Sequence, residues 1–447
     1  MRQRLQEPQS PSYRYQAPPQ SQQRTQEAPP KVIQTPQWRQ RARKEVTLPR
    51  KRFIALALLG VFAFPWMPLK ATPQLTAPTG TANALYNAEA RVYKQDLAAA
   101  ERIAQKTPVG KTRALPEALT DPSGFATLEQ ARQNRDQLKR HLGVLKKGLT
   151  LPMQEVAWDF STPYEAPLLN CIYVRELARL SVRDGNLKQL EGNYSGAMTA
   201  YLDAYALGVQ ASHAGALVSG MIGALCQGMA CVPAEVAVPH LTAAQAREAT
   251  ARMETIQAQQ LSFAEVLAGE TRVVEPENVS YLGRSLVKQP VFGRIPAVQL
   301  ANNYLTARYK VAMQQAVVKA QQPYRKLGGE IHVQKVPFDP ATLLGTNDLP
   351  SVNQAYLSYC SRETLGRRLL LELALRAWQA EHGGAFPTEL GALVKAGYLK
   401  KLPTDPFSHS GQESFHYDSQ TGKVWSVGPD GVDAHGTGDD ATLMKAQ

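Results

Sequence analysis

The 447-residue chain is poor in cysteine, with only four, which excludes a small scaffold held together by disulfides. It contains neither G-x-S-x-G nor H-E-x-x-H. Two common routes to hydrolysis, a serine on a nucleophile elbow and a zinc site on a helix, therefore have no basis in the sequence. Gly110-Lys111-Thr112 lacks the earlier glycine of a phosphate-binding loop, because Gln105 stands there, and with it the backbone N–H cradle that phosphate needs. Ser285-Leu286-Val287-Lys288 has the S-x-x-K spacing of penicillin-interacting enzymes but neither companion motif, and reads as chance. Acid is scarce at one end. Residues 1–52 carry twelve Lys and Arg against Glu7, Glu27 and Glu45, so the other 395 residues hold only +3 of the total +12. The basic character belongs to a tail, and the folded part is not read as a nucleic-acid surface.

That tail is also short of aliphatic residues. Residues 1–50 contain eleven Gln and eight Pro, too little apolar surface to offset chain entropy, so they are expected to be disordered. Arg39, Arg41, Arg43, Lys44, Arg50, Lys51 and Arg52 stand beside the next feature, where cations attract anionic lipid headgroups. That feature, residues 51–70, encloses FIALALLGVFAFPWMPL, Phe53 to Leu69, seventeen residues without a charge. As a helix it would cover roughly 26 Å, close to a hydrocarbon core of about 30 Å. Trp66 stands where an interfacial aromatic belongs and Lys70 can snorkel outward. The segment is read as a single transmembrane signal anchor rather than a cleaved signal, because the preceding region is long and no A-x-A site follows. The positive-inside rule then puts the N-terminus in the cytoplasm and the bulk of the chain across the membrane.

Residues 71–82 form a Pro/Thr/Gly linker, and residues 83–322 read as a mainly α-helical domain. Helices are expected at Asn83–Gln105, Phe125–Leu149, Leu241–Leu267 (with Thr242 as N-cap) and Ala297–Ala320. Ala211–Val232 carries no charge and is rich in small residues. It reads as a buried, closely packed helix, with a second membrane span as the alternative. Cys226 and Cys231 lie on different faces at helical spacing, and a pairing with Cys171 or Cys360 is undecided. Within Leu177 to Gly208, Gly192-Asn193-Tyr194 is followed by Ala197, Tyr201 and Ala204; this resembles one tetratricopeptide-type helical hairpin, without further repeats. Asp159, Glu165, Asp184, Glu191 and His213 are the acid–base candidates of this region, and their spacing demands no catalysis. Residues 323–360 read as an irregular connector.

The last segment, residues 361–447, reads as a small α+β module. A helix over Glu363–His382 ends at Gly383-Gly384, a short helix covers Thr388–Ala396, and strand patterns at Ser414–Tyr417 and Lys423–Val427 flank the turn 418–422. The helix closes in E-H-G-G-x-F-P, then come L-P-T-D-P-F and S-V-G-P-D-G, with Asp439 and Asp440 trailing. Over Glu363 to Ala441 this resembles the periplasmic domain of the major pseudopilin of type II secretion systems, and similar modules appended to bacterial membrane-anchored proteins. The resemblance implies a bacterial inner-membrane location and a calcium ion held by the carboxylates of Asp430, Asp439 and Asp440 and the carbonyl of Val427. Calcium chemistry suits the segment, since residues 403–447 hold seven acids against Lys423 and Lys445 and the glycines there let backbone wrap an ion. His409, His416 and His435 have no transition-metal ligand spacing. Unlike a pseudopilin, Lys51-Arg52-Phe53-Ile54-Ala55 has no Gly–Phe processing site and no Glu inside the apolar helix. The expected function is a non-enzymatic, membrane-anchored envelope protein with a helical docking domain, an accessory of type II secretion or pilus-like systems with an envelope protein partner. The alternative is an extracytoplasmic hydrolase.

Overall fold

Apolar residues spaced three to four positions apart build helices through most of the described chain. The computed structural model describes residues 80–106, 128–155, 165–273, 296–332 and 350–437, all within one compact unit, Thr72–Gln447. The tail, the apolar segment Phe53–Leu69, the Gly110 and Ser285 motifs, Asp159, Asp439 and Asp440 lie outside the described residues.

The helices are α1 (Ala82–Lys106), α2 (Leu128–Gln137), α3 (Lys139–Leu149), α4 (Glu165–Leu190), α5 (Tyr194–Ser212), α6 (Leu217–Ala237), α7 (Ala243–Gln257), α8 (Phe263–Val273), α9 (Pro296–Lys319), α10 (Pro350–Glu381) and α11 (Gly391–Lys395). The only strands among the described residues are β1 (His416–Tyr417) and β2 (Val424–Trp425), antiparallel, with His416 opposite Trp425 and Tyr417 opposite Val424.

Two of the expected long helices are broken. Residues 125–149 yield α2 and α3, parted at Leu138, which is fully buried, and the break lets His141 turn inward to Tyr173 at 2.9 Å and Asp96 at 3.0 Å. Residues 241–267 yield α7 and α8, each with its own start. Thr242 and Gln245 form a capping box on α7, and Ser262 and Glu265 exchange the equivalent bonds before α8. Apolar periodicity does not register such one-turn interruptions; cap chemistry does.

Helices α4 and α5 form an antiparallel hairpin around Gly192, whose φ of +81° a side chain would resist. A Cβ on Gly185 would lie 2.4 Å from the Tyr201 ring, so glycine is what lets that tyrosine in. Its hydroxyl is 2.9 Å from Asn186 Oδ1 and 2.8 Å from Gln189 Oε1. Helix α6 lies on α5 still more closely: a Cβ on Gly223 would sit 2.3 Å from the Gly208 carbonyl oxygen. The small residues of the 211–232 segment thus serve helix packing, although 213–216 is a turn rather than helix. Leu217–His240 is the one helix among the described residues long and apolar enough to cross a membrane, and 56% of that apolar stretch is buried against the rest of the protein. All four cysteines are unpaired thiols.

Two corrections concern the C-terminal region. The expected connector 323–360 is not irregular to its end, because α10 begins at Pro350, a residue suited to a first helical turn. The short helix expected over Thr388–Ala396 contracts to Gly391–Lys395. Helix α10 belongs to two cores. Its first turns pack Val352, Tyr356 and Tyr359 with Phe263, Met313, Tyr324 and Phe407, and its later turns pack Leu369 to Ala377 with α5, α6 and α7. Leu393, Tyr398, Phe415 and Val424 join that second core. The helical body and the C-terminal module therefore share one apolar interior.

Candidate functional site

Four positions on α10, spaced by one or two turns, face the end of α6: Arg368, Glu372, Arg376 and Gln379. Across from them stand Phe386 and the β1–β2 hairpin. Between the two walls is a cleft of about 530 Å³. Its far wall depends on glycine. A Cβ on Gly422 (φ +73°) would lie 2.3 Å from the Phe386 ring, so only glycine lets the hairpin turn rest on that aromatic.

The cleft floor is a charge trio. Arg368 Nη2 donates to Glu235 Oε1 at 2.6 Å, while its Nε lies 3.6 Å from Glu372 Oε1, one turn along. One guanidinium thus faces two carboxylates in a half-buried place. Burial, with the Glu235 charge adding to it and Arg368 opposing, raises the pKa of Glu372 to about 8. Arg376 Nε donates to the Leu241 carbonyl at 2.8 Å and Lys423 Nζ to the Gly436 carbonyl at 2.9 Å. Arg368, Arg376 and Lys423 outnumber Glu235 and Glu372, so the cleft is cationic, with Trp425 and Phe386 as its aromatic surfaces.

A second buried acid organises the module itself. Asp405 of L-P-T-D-P-F is 1% exposed. Its carboxylate accepts from Phe407 N at 3.0 Å, Ser426 Oγ at 2.8 Å and Val427 N at 3.1 Å. The two loop motifs are therefore clasped by one side chain. Burial raises its pKa against the pull of those three donors. Around the hairpin, Asp433 accepts from Trp425 Nε1 at 2.8 Å, and that bond with His416 and His435 nearby holds its carboxyl below the usual range. Welds to the body complete the module: Arg247 and Glu381 form a bidentate pair at 2.6 and 2.7 Å, and Tyr398 donates to the same carboxylate at 2.6 Å.

Of the calcium ligands that the resemblance implies, Asp430 is exposed and its Oδ1 accepts from Val432 N at 2.8 Å. Val427, three positions earlier, is held through its own N–H to Asp405. Asp439 and Asp440 lie outside the described residues, and among the described residues no group of three His, Cys, Asp or Glu could hold a metal ion. The described residues alone thus do not assemble the donor set. His416 and His435 lie 3.2 and 3.7 Å from Asp433, and His409 stands apart and exposed.

Comparison with family models, with curated proteins and with solved structures gives no match for this chain.

The acid–base candidates of the helical domain are not brought together. Asp184 pairs with Lys188 at 2.7 Å, Glu191 with Arg132 at 2.9 Å, and His213 Nε2 meets the Gln259 carbonyl at 2.8 Å; Glu165 opens α4. The convergent charges come instead from Glu235 and Arg368, residues 133 positions apart. The sequence signal for half of them was present in R-R-L-L-L-E, an arginine and glutamate at i and i+4; nothing local pointed to Glu235.

Proposed function

We propose that this chain is a membrane-anchored bacterial envelope protein that acts by docking a partner, as an accessory of type II secretion or pilus-like systems. The observation that carries the reading is the cationic, aromatic-walled cleft made jointly by the helical body and the C-terminal module. Its ligand would be a segment of an envelope protein bearing carboxylates. Guanidinium groups held in place by neighbouring acids recognise carboxylates in paired geometry, and aromatic faces accept the aliphatic or ring portions beside them. The apolar segment Phe53–Leu69 would anchor the chain with its basic flank on anionic lipid and residues 71–447 outside the cytoplasm. A photo-crosslinker at Gln379 in intact cells tests this. An envelope protein should be captured, and Arg376→Glu with Lys423→Glu should abolish the capture; capture of the same protein by the double variant would refute the cleft as the docking site.

The module's resemblance to pseudopilins adds calcium, with Asp430, Asp439, Asp440 and the Val427 carbonyl as ligands and loop stiffening as the effect. Millimolar calcium should then raise the melting temperature of the full chain in detergent, and Asp439→Ala should remove the rise.

Glu372 favours a second reading. A carboxylic acid whose pKa is raised at the wall of a cleft is suited to general-acid work, which fits an extracytoplasmic hydrolase. Hydrolysis of an ester, peptide or glycan panel that is lost in Glu372→Gln would establish it.

A further inference from the structure

Four of the nine large apolar side chains that the described residues expose lie on one helix, α9: Leu300, Tyr304, Val311 and Val318. Leu300 is 72% and Val318 62% exposed. With the exposed Ala307 and Gln314 they form a single series, in which steps of four and three residues alternate from Leu300 to Val318. That alternation is the heptad spacing that keeps a row of side chains on one face of a helix. The helix does not need this row for its own fold. Met313, Ala316 and Ala320 stand roughly half a turn around the axis from it, and they pack with Phe263, Leu267 and Tyr356 in the core shared with α8 and α10.

Two features of the row decide what can cover it. The first is width. At helical pitch, Leu300, Tyr304, Ala307, Val311 and Val318 fall within roughly 60° of one another around the axis, and the exposed polar Asn303 and Gln314 begin directly beside them. A strip that narrow is the seam of a helix pair, whereas a helix lying in a lipid leaflet presents a broader apolar face. The second feature is charge. Lys310 borders the strip on one side and Arg308 on the other, with Lys319 on the side of Arg308 and held by the His332 carbonyl. The 24 residues of α9 contain no Asp or Glu. Two copies of α9 set seam to seam would bring only cations to the flanks, where like charges repel. An acidic flank answers them.

From this we infer that the outer face of α9 is a docking surface for one helix of a partner protein, a helix with apolar residues at heptad spacing and carboxylates on both flanks. The seam from Leu300 to Val318 is about 27 Å long at about 1.5 Å per residue. The two apolar rows interlock along it while the partner's carboxylates lie against the cationic flanks. Gln314, the one polar side chain in the series, favours the register in which it meets a polar residue of the partner. The surface shares no residue with the cleft, and it does not depend on the cleft having a docking role.

The test uses the full chain in phosphatidylcholine nanodiscs and two labelled synthetic helical peptides of three heptads each. Both carry Leu at the two seam positions of every heptad; one has Glu and the other Lys at the two flanking positions. Fluorescence anisotropy should show saturable binding of the Glu peptide, at least about tenfold tighter than the Lys peptide and weakened by added salt. Val311→Glu, at an exposed position, should lower the affinity for the Glu peptide at least about tenfold and leave the melting temperature unchanged. Lys310→Glu should narrow the gap between the two peptides. A photo-crosslinker at Val318 should react with the Glu peptide. That crosslink decides alone if Val311→Glu melts early. Equal binding of the two peptides, or binding that ignores Val311→Glu, would overturn the assignment. So would crosslinks from Val318 to lipid or to a second copy of the chain in place of the peptide.

Discussion

Arg362 and Arg368 sit within two turns of α10, yet their surroundings are opposites. Arg368 is shared by two carboxylates, Glu235 and Glu372; Arg362 has an aromatic face and an amide oxygen and, among the described residues, no carboxylate. One site sets two acids against one cation, and burial with the Glu235 charge raises the pKa of Glu372. The other has an acid too few, and a proton cannot be removed from a guanidinium at any working pH. An excess of acid can be relieved by taking up a proton, whereas an arginine keeps its charge and relies on the ring and the amide it touches.

The largest effect should come from breaking the acid-rich side. Arg368→Met leaves two half-buried carboxyls facing each other without their cation, and unfolding measured by denaturant should show a loss of about 4 kcal/mol. Next is Asp405, a buried acid compensated by hydrogen bonds rather than by charge. Asp405→Ala orphans the amides of Phe407 and Val427 and should cost about 3 kcal/mol in the same measurement. Glu372 gives the contrast a pH signature. Its pKa is raised to about 8 in the folded state, so its contribution is fully present below the ordinary carboxylate value and is lost as pH rises from there to about 8. Over that window stability should fall by at most about 1.4 kcal/mol per pH unit, and Glu372→Gln should flatten the slope. Smallest is Arg362→Met. A methionine there removes an unpaired charge from the core, and the melting temperature should shift by no more than a few degrees, against a large drop for Arg368→Met.

The sequence carried the helices well where apolar spacing was sustained, as in α1 and α9, and it carried the hairpin strands through the turn at Gly422. It also carried the glycine ends, Gly383 and Gly384, both at positive φ. The breaks at Leu138 and at residues 258–262 were illegible because the apolar stripe continues across them while the caps, Ser262 with Glu265, hide inside an otherwise helical pattern. Half of the cleft was legible as an i, i+4 pair on α10. The other half could not be, since Glu235 meets Arg368 only because α6 and α10 cross. Asp405 was visible in its motif, but its role required Ser426 and Val427 to arrive from a loop twenty residues on.

The length of α10 has a mechanical meaning. Thirty-two residues of uninterrupted helix make a rod of about 48 Å, rooted at Tyr356 and Tyr359 in one core and running through the other to the module. A pull on the hairpin is therefore delivered along a stiff strut into the helical body rather than absorbed by a linker. Whatever grips the module grips the whole folded unit, and tension rather than shape change is the signal it can pass on.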